Sequence, residues 1–255
     1  FLSIFSITSL AIGTAAMIII LSVFNGLEDS LKSIYRDFDP DLKIISNEKT
    51  YIRDELTNKI SSINNVEVVT PFIETKSLLQ NKGKEVVSTI KGVDKTFINQ
   101  GRVVNNLTEG KFNIFNEQSK NTIIGRGIKY SLGINTNSNF ESITAFVLND
   151  SIRITPQMLN SKVYQKNKLN VVGVFAIENN FDSNYIFTSL KTAQNIFKKQ
   201  NMISGYEIKL KEIDEVNKTK NDLKNIIGDH LDVLSFSEIR SGLYKILETE
   251  KLVVY

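Results

Sequence analysis

The sequence predicts an α+β protein: an α/β sandwich of two strand–helix–strand units, a β-rich insertion, and transmembrane and stalk helices flanking the whole. Three observations lead there. From Phe1 to Leu27 there is no charged residue. The order strand, helix, strand occurs twice, at 41–70 and 206–236, without repetition of the residues themselves. Between these units, from about Phe112 to Asn184, short apolar alternations are joined by links rich in Asn, Ser and Lys.

Composition narrows the function. Hydrophobic residues make up 41 % and charged residues 23 %, which is the balance of a folded chain. Net charge is +3, from 31 basic and 28 acidic residues, too even for an electrostatic nucleic-acid binder. There is no cysteine, so disulfide scaffolds, thiolate metal sites and thiol catalysis are excluded. His230 is the only histidine, which excludes catalytic triads and multi-histidine metal centres.

The first element is FLSIFSITSLAIGTAAMIIILSVF, about 36 Å long as a helix and sufficient for a hydrocarbon core of about 30 Å. A transmembrane helix over 1–27 is the reading adopted. A buried soluble helix is the alternative, as is a signal peptide, which needs a basic leader and a shorter apolar core. Ser6, Ser9, Gly13 and Ala16 form a small-residue stripe. Ser9 and Gly13 are its small-xxx-small pair, the candidate contact with another membrane helix. Leu27, Leu31, Ile34, Tyr35 and Phe38 then continue at helical spacing among charges, a stalk helix over 28–40 that Asp39-Pro40 ends. Its net-acidic flank (Glu28, Asp29, Asp37, Asp39 and Asp41 against Lys32 and Arg36) places this end on the outer side.

A strand over 41–46 follows, then a helix over 51–63 with Ile52, Leu56, Ile60 and Ile63 on one face. A long strand over 66–80, interrupted by Pro71, turns at NKGK into a hairpin partner over 85–93. Further strands are expected at 121–125, 141–148, 151–155, 168–177 and 185–190, and a short helix at 192–199. Near the end come a strand over 206–211, a helix over 213–227 stopped by Gly228, and a strand over 231–236. Ser237 is the expected N-cap of a stalk helix over 237–255, which enters a second membrane helix at about Leu252.

Signs of chemistry are weak. Asp37, Asp39 and Asp41 alternate as in a calcium loop, but Leu42 stands where that loop needs Gly. Gly125-Arg126-Gly127 follows a strand, but neither a dinucleotide fingerprint nor a Gly-Lys-Ser/Thr loop is completed, and a tight strand-to-helix turn is expected instead. Acid pairs such as Asp54/Glu55 and Asp214/Glu215 read as solvated helix faces. No catalytic, cofactor-binding or metal residue is assigned.

Several local patterns do combine into a family likeness: SLAIGTAAMIIILSVFNGLEDSL (9–31), FDPDLKI (38–44), VSTIKGVD (87–94), IIGRGIKYSLGI (123–134) and VVGVFAIENNFDSNYIFTSLKTAQNIF (171–197). In that order they resemble the lipoprotein-releasing permeases of the LolC/LolE type, within the MacB- and FtsX-like ABC permeases. One departure is 135–146, where relatives usually carry a Gly-Asp turn. The resemblance implies a MacB-like periplasmic core domain: a porter-like α/β part at 41–111 and 185–236, and a sabre-like β-rich part at 112–184. It also implies a bacterial inner-membrane location with the main domain in the periplasm. The implied partners are a second permease subunit, a cytoplasmic ATP-binding subunit, a lipoprotein substrate and a LolA-like periplasmic carrier. The chain itself would then be non-catalytic and use no cofactor. A MacB- or FtsX-like permease with another client, and a periplasmic sensor domain of a two-helix receptor, are the alternatives.

By position, PQMLNSKVYQKNK (156–168) resembles the family's carrier-gripping hook. Met158, Leu159, Val163 and Tyr164 are its apolar residues, and Lys162, Gln165, Lys166 and Lys168 form a polar, basic rim. Only Pro156 flanks it, where the family hook is often flanked by Pro on both sides, so the subunit type stays open.

Overall fold

The structure is a computed structural model that describes residues 2–36, 39–48, 50–116, 118–136, 141–148, 164–228 and 230–239. The chain divides into two units, residues 1–37 with 240–255, and residues 38–239. In the first, α1 (Leu2–Arg36) is one uninterrupted helix. Its segment Ser3–Gly26 is long and apolar enough to cross a membrane, and its most apolar stretch is not buried within the chain. The Thr8 and Thr14 hydroxyls donate to the Ile4 and Leu10 carbonyls at 3.0 Å, so each finds its partner inside the helix.

The second unit opens with β1 (Leu42–Ser46), which alternates buried and half-buried residues. The helix expected over 51–63 is much shorter. Residues 52 and 53 form β2 (Ile52–Arg53), paired with Ile203 and Met202, and only α2 (Thr57–Ser61) is helical. Asp54 marks the break. Its carboxylate accepts the Thr57 hydroxyl at 2.7 Å and the Tyr206 hydroxyl at 3.0 Å, tying down the turn before the helix starts. The apolar positions keep their burial even so: Ile60 is in the core, and Ile52, Leu56 and Ile63 pack on it.

β3 (Val66–Asn81) runs through Pro71 without the expected interruption. The Phe72 carbonyl accepts the Ser204 N–H at 2.7 Å, so Pro71 faces the opposite edge, where pairing begins only at Phe72. The missing N–H therefore costs no ladder bond. Lys82 and Gly83, with φ of 47° and 83°, turn the chain into β4 (Lys84–Val93). Then come α3 (Phe97–Gln100), α4 (Arg102–Asn105), β5 (Leu107–Gly110), β6 (Asn121–Gly125) and α5 (Arg126–Leu132). The glycines between β6 and α5 serve packing. A Cβ on Gly125 would stand 2.0 Å from the Asp182 carbonyl oxygen, and one on Gly127 2.2 Å from Ser183 Oγ.

β7 (Ser142–Leu148), β8 (Tyr164–Phe175), α6 (Asn179–Asn184), β9 (Tyr185–Ser189), α7 (Leu190–Phe197) and β10 (Met202–Ile203) follow. β11 (Gly205–Leu210), α8 (Val216–Ile227), β12 (Leu231–Ser235) and α9 (Phe236–Ile239) complete the unit. The strand expected at 151–155 lies outside the described residues, as does the helix expected at 237–255 beyond Ile239. The last helix starts earlier than expected, with Ser235 rather than Ser237 at its N-cap position. Ser235 N–H donates to the Glu238 carboxylate at 2.7 Å, the reciprocal half of a Ser-x-x-Glu capping box, and Lys220 holds the same carboxylate at 2.6 Å.

The two strand–helix–strand units interleave. β1 lies between β12 and β11, and β11 between β1 and β3, the order of a split β-α-β pair. Leu42, Ile44, Tyr206 and Val233 from its strands meet Ile60 of α2 and Leu223 and Ile227 of α8 in one core. The remaining strands close on themselves. β3 pairs with β4, β4 with β9, β9 with β6, β6 with β8, β8 with β7, and β7 returns to β3. Of this ring, β6, β7 and β8 come from residues 112–184, and β3, β4 and β9 from the segments around them. Ile90, Ile124, Ile143, Val174 and Ile186 fill it together with Ile128 and Leu132 of α5 and Ala193 and Ile196 of α7.

Candidate functional site

The ribbon of β7 and β8 carries the described part of the expected carrier loop. Its strands pair with Leu148 opposite Tyr164, Val147 opposite Gln165 and Phe146 opposite Lys166. Ile143, Ala145 and Val147 point into the ring core, so Leu148 and Tyr164 point out, 46 % and 52 % exposed. Lys166 lays its ammonium over the Phe146 ring, 5.4 Å from the centroid. The outward row continues across the ring, since Phe146 also faces Leu78 on β3, and Leu78 faces Val87 on β4. The loop is thus narrower than expected. Tyr164, Gln165, Lys166 and Lys168 belong to β8, because its alternation continues to Tyr164. Met158, Leu159 and Val163 lie outside the described residues. An exposed aromatic–aliphatic pair with an ammonium beside it, on a stiff ribbon, suits contact with another protein and supplies no acid, base or nucleophile.

Ser9 and Gly13 lie on α1 and are exposed. A Cβ added to Gly13 would meet nothing within 4 Å.

A third feature was not legible in the sequence. Glu207 of β11 is 2 % exposed and accepts from Lys91 of β4 and from Arg102 Nη2 of α4, the latter at 3.1 Å. Burial alone would raise its pKa. Lys91, Arg102 and Lys43 outweigh burial and hold the carboxyl well below the ordinary carboxylate range. Lys43 of β1 bonds Glu74 Oε1 of β3 at 3.0 Å, and Lys91 lies 3.9 Å from Glu74 Oε2. Both ammoniums sit over the Phe72 ring, at 4.6 and 4.7 Å from its centroid. Strand alternation points Glu207 and Lys91 out of the cores, which reads as solvent. Gln100 of α3 and Arg102 of α4 bond Glu207 over that face, Phe72 lies under Lys91, and both charges are buried. The one sequence signal is a pair of opposite charges in mid-strand, each among apolar neighbours.

The motif at 171–197 is structural in its details. Glu178 accepts the Asn180 and Phe181 N–H groups at 3.0 and 3.1 Å and so caps α6. Asp182, buried and with its pKa raised by that burial, accepts the Ile177 N–H at 2.9 Å. Ser189 caps α7 through the Thr192 N–H. Asp41, from the expected calcium-like alternation, accepts the Leu210 N–H at 2.8 Å. His230 lies in the turn before β12, where its carbonyl accepts the Asn47 N–H.

The chain enters and leaves the second unit at neighbouring points. β1 and β12 are antiparallel partners, and the Phe236 N–H donates to the Asp41 carbonyl at 3.2 Å.

Comparison with known proteins places this geometry in a family. Residues 3–226 match the MacB-like periplasmic core domain. The lipoprotein-releasing system transmembrane protein LolC of Buchnera aphidicola subsp. Schizaphis graminum is 25 % identical over 98 % of the chain and 60 % of its own length. LolC of Neisseria meningitidis is 22 % identical over 82 % of the chain and 49 % of its own length. The LolE protein of Haemophilus influenzae is 24 % identical over 81 % and 49 %. The chain therefore spans about half to three-fifths of the length of these curated relatives. Among solved structures, the periplasmic region of MacB from Actinobacillus actinomycetemcomitans matches with a TM-score of 0.54 at 12 % identity, over 80 % of the chain and 92 % of that structure. The extracellular domain of the ABC-type transporter YknZ from Gram-positive bacteria matches at 0.51 and 12 % identity, over 76 % and 99 %. These two likenesses concern the fold.

Proposed function

The chain belongs to the MacB-like periplasmic core domain family, and on that premise we propose that it is the first membrane helix and periplasmic domain of an ABC transporter permease that releases lipoproteins. In this reading a lipoprotein leaves the inner membrane and is handed to a LolA-like periplasmic carrier. A separate cytoplasmic ATP-binding subunit hydrolyses the nucleotide, and a second permease subunit completes the membrane part. The domain moves and binds, and catalyses nothing itself. The LolC and LolE names of its relatives support the client, and the apolar α1 supports the membrane location.

The observation that carries the reading is the pairing of β1 with β12. Entry and exit of the domain are hydrogen-bonded neighbours, so a movement of paired membrane helices would reach one edge of the sheet at one point. Within that domain, the porter-like part corresponds to the split β-α-β core. The sabre-like part, 112–184, supplies β6, β7 and β8, which close the ring with β3, β4 and β9 of the porter-like segments. Carrier docking falls to the β7–β8 ribbon end and the segment 156–168 that resembles the family hook. Tyr164 supplies the outward ring and Lys166 the adjoining charge.

The test is reconstitution of the full-length permease with its ATP-binding subunit, a lipoprotein client and the carrier. Release of the client into the carrier is expected. The variant Met158→Asp with Tyr164→Asp should lose carrier capture while keeping the thermal midpoint of the parent. Carrier binding as tight as in the parent would remove the ribbon end as the docking site. Absence of release by the parent, with transport of another client, would assign the chain to a different branch of the same permeases.

A further inference from the structure

The two cores are separate clusters that share Leu190 at their margins. Within the sheet only β3 runs through both, pairing with β11 up to Phe72 and with β4 from Phe72 onward. β11 begins at Gly205 and β4 ends at Val93, so both partners stop at this one residue. A single shared strand with Pro71 at the change of partner is a point where a sheet can flex.

Side chains cross that point on one face. Lys91 leaves the ring on β4, passes over the Phe72 ring at 4.7 Å and bonds Glu207 on β11, in the split β-α-β part. Arg102, on the segment that follows β4, reaches the other Glu207 oxygen at 3.1 Å. One cation from the ring strand β4 and one from α4, whose neighbour α3 bonds Thr70 of β3, thus hold one buried carboxylate of β11. Around them, Gln100 Nε2 donates to Thr70 Oγ1 at 2.9 Å and to the Glu207 carbonyl at 3.3 Å. Lys43 and Glu74 extend the cluster to β1. Charge-assisted bonds are directional, whereas apolar contact is not, so this arrangement fixes an angle as well as a contact.

We propose that Glu207, held by Lys91 and Arg102, is a latch that keeps the split β-α-β part and the strand ring at one fixed angle across the Phe72 joint. Lys91 and Arg102 are positioning residues in this device. It rests on the reading of the domain as a force relay, in which displacement at β1 and β12 must arrive undiminished at the β7–β8 ribbon end. A joint free to bend would absorb that displacement.

The experiment is a distance measurement between spin labels in the full-length protein in lipid nanodiscs. With any cysteine outside this cysteine-free chain replaced by Ser, Lys224→Cys on α8 and Tyr130→Cys on α5, both exposed, report one on each side of the joint. The parent should give one narrow distance peak. Lys91→Met and Glu207→Gln should lose that single peak for a broad or double one. Lys209→Met, which removes only the exposed pair with Glu67 on the same sheet, should keep it. The variant Lys91→Met, Arg102→Met, Glu207→Leu separates the latch from ordinary stabilisation, because an apolar replacement of a buried ionic cluster can preserve stability. It should keep the thermal midpoint and still lose the narrow peak. If Glu207→Gln fails to fold, the Lys91→Met and triple variants decide. A narrow peak in both of those overturns the latch. Client release by the parent is measured separately, so a failed relay with a broadened joint refutes the functional reading and not the latch.

Discussion

Gly92 offers the sharpest quantitative check on how the ring is packed. It lies near the end of β4, directly under α7. A Cβ there would stand 2.3 Å from the Ala193 Cβ, 3.0 Å from Ile73 Cγ2 and 3.3 Å from the Leu190 Cα. Neither the Ala193 Cβ nor the Leu190 Cα has a torsion that could move it aside, so Gly92→Ala must push α7 away from the strand. Overpacking of this kind costs about 1–3 kcal/mol, offset by about 0.4–1 kcal/mol from the stiffer unfolded chain. A net loss of about 1 kcal/mol corresponds to a fall of about 2–4 °C in the melting midpoint of a unit of this size. The partner change Ala193→Gly removes the clashing atom but costs about 1 kcal/mol of helix propensity by itself. The double variant should therefore be less destabilised than the sum of the two singles by about 1 kcal/mol. Thermal unfolding of the four proteins measures this cycle. Additive effects, or a higher midpoint for Gly92→Ala alone, would refute the packing of α7 on β4 described above.

Other outcomes can be checked alongside. Glu238→Ala should cost about 0.5–2 kcal/mol and speed amide exchange over Ser235–Ile239, because it removes half of the capping box; unchanged exchange would place the cap elsewhere. Burial raises the Glu238 pKa, but Lys220 and Ser235 outweigh it and lower the carboxyl from 4.5 to about 2. Its contribution to stability is therefore full above about pH 4.5 and is lost as pH falls toward 2; a carboxyl titration centred near the ordinary value would contradict the pairing. In membranes, Gly13→Leu should reduce cross-linking of α1 to a neighbouring helix by keeping the backbones apart, and unchanged cross-linking and transport would put this face against lipid. The purified chain alone should not turn over ATP, since it has no Gly-Lys-Ser/Thr loop to cradle phosphate, and turnover without another subunit would contradict the proposed division of labour.

Most local elements were legible in the sequence because they are written in short-range periodicity. The alternation in 66–80 and 85–93 with a Lys-Gly turn specifies a hairpin, and the apolar run from Phe1 specifies a helix of membrane length, whatever surrounds them. The errors arose where one side chain decides an element boundary. Asp54 ends a helical pattern that Ile52, Leu56, Ile60 and Ile63 would otherwise support, by bonding Tyr206 from the far end of the chain. Ser235, not Ser237, takes the N-cap position because Glu238 sits three residues after it. On the candidate docking site, the sequence indicated Tyr164 and Lys166 as an apolar and a basic residue, while the pairing of β7 with β8 showed that they stand on a strand facing outward.

What the sequence by itself determined is the class of protein: an apolar helix of membrane length and two strand–helix–strand units. What only the tertiary structure decided is which strands become neighbours. Nothing in NTIIG or YIFTS states that β6 and β9 pair, or that β7 returns to β3 and closes the ring. The burial of Glu207 beside Lys91 is likewise tertiary, with Gln100 of α3 and Arg102 of α4 bonding Glu207 over that face and Phe72 under Lys91. Periodicity encodes which side of an element is apolar. It does not encode the partner that covers the other side, because that depends on contacts between residues more than a hundred positions apart, such as Lys91 and Glu207.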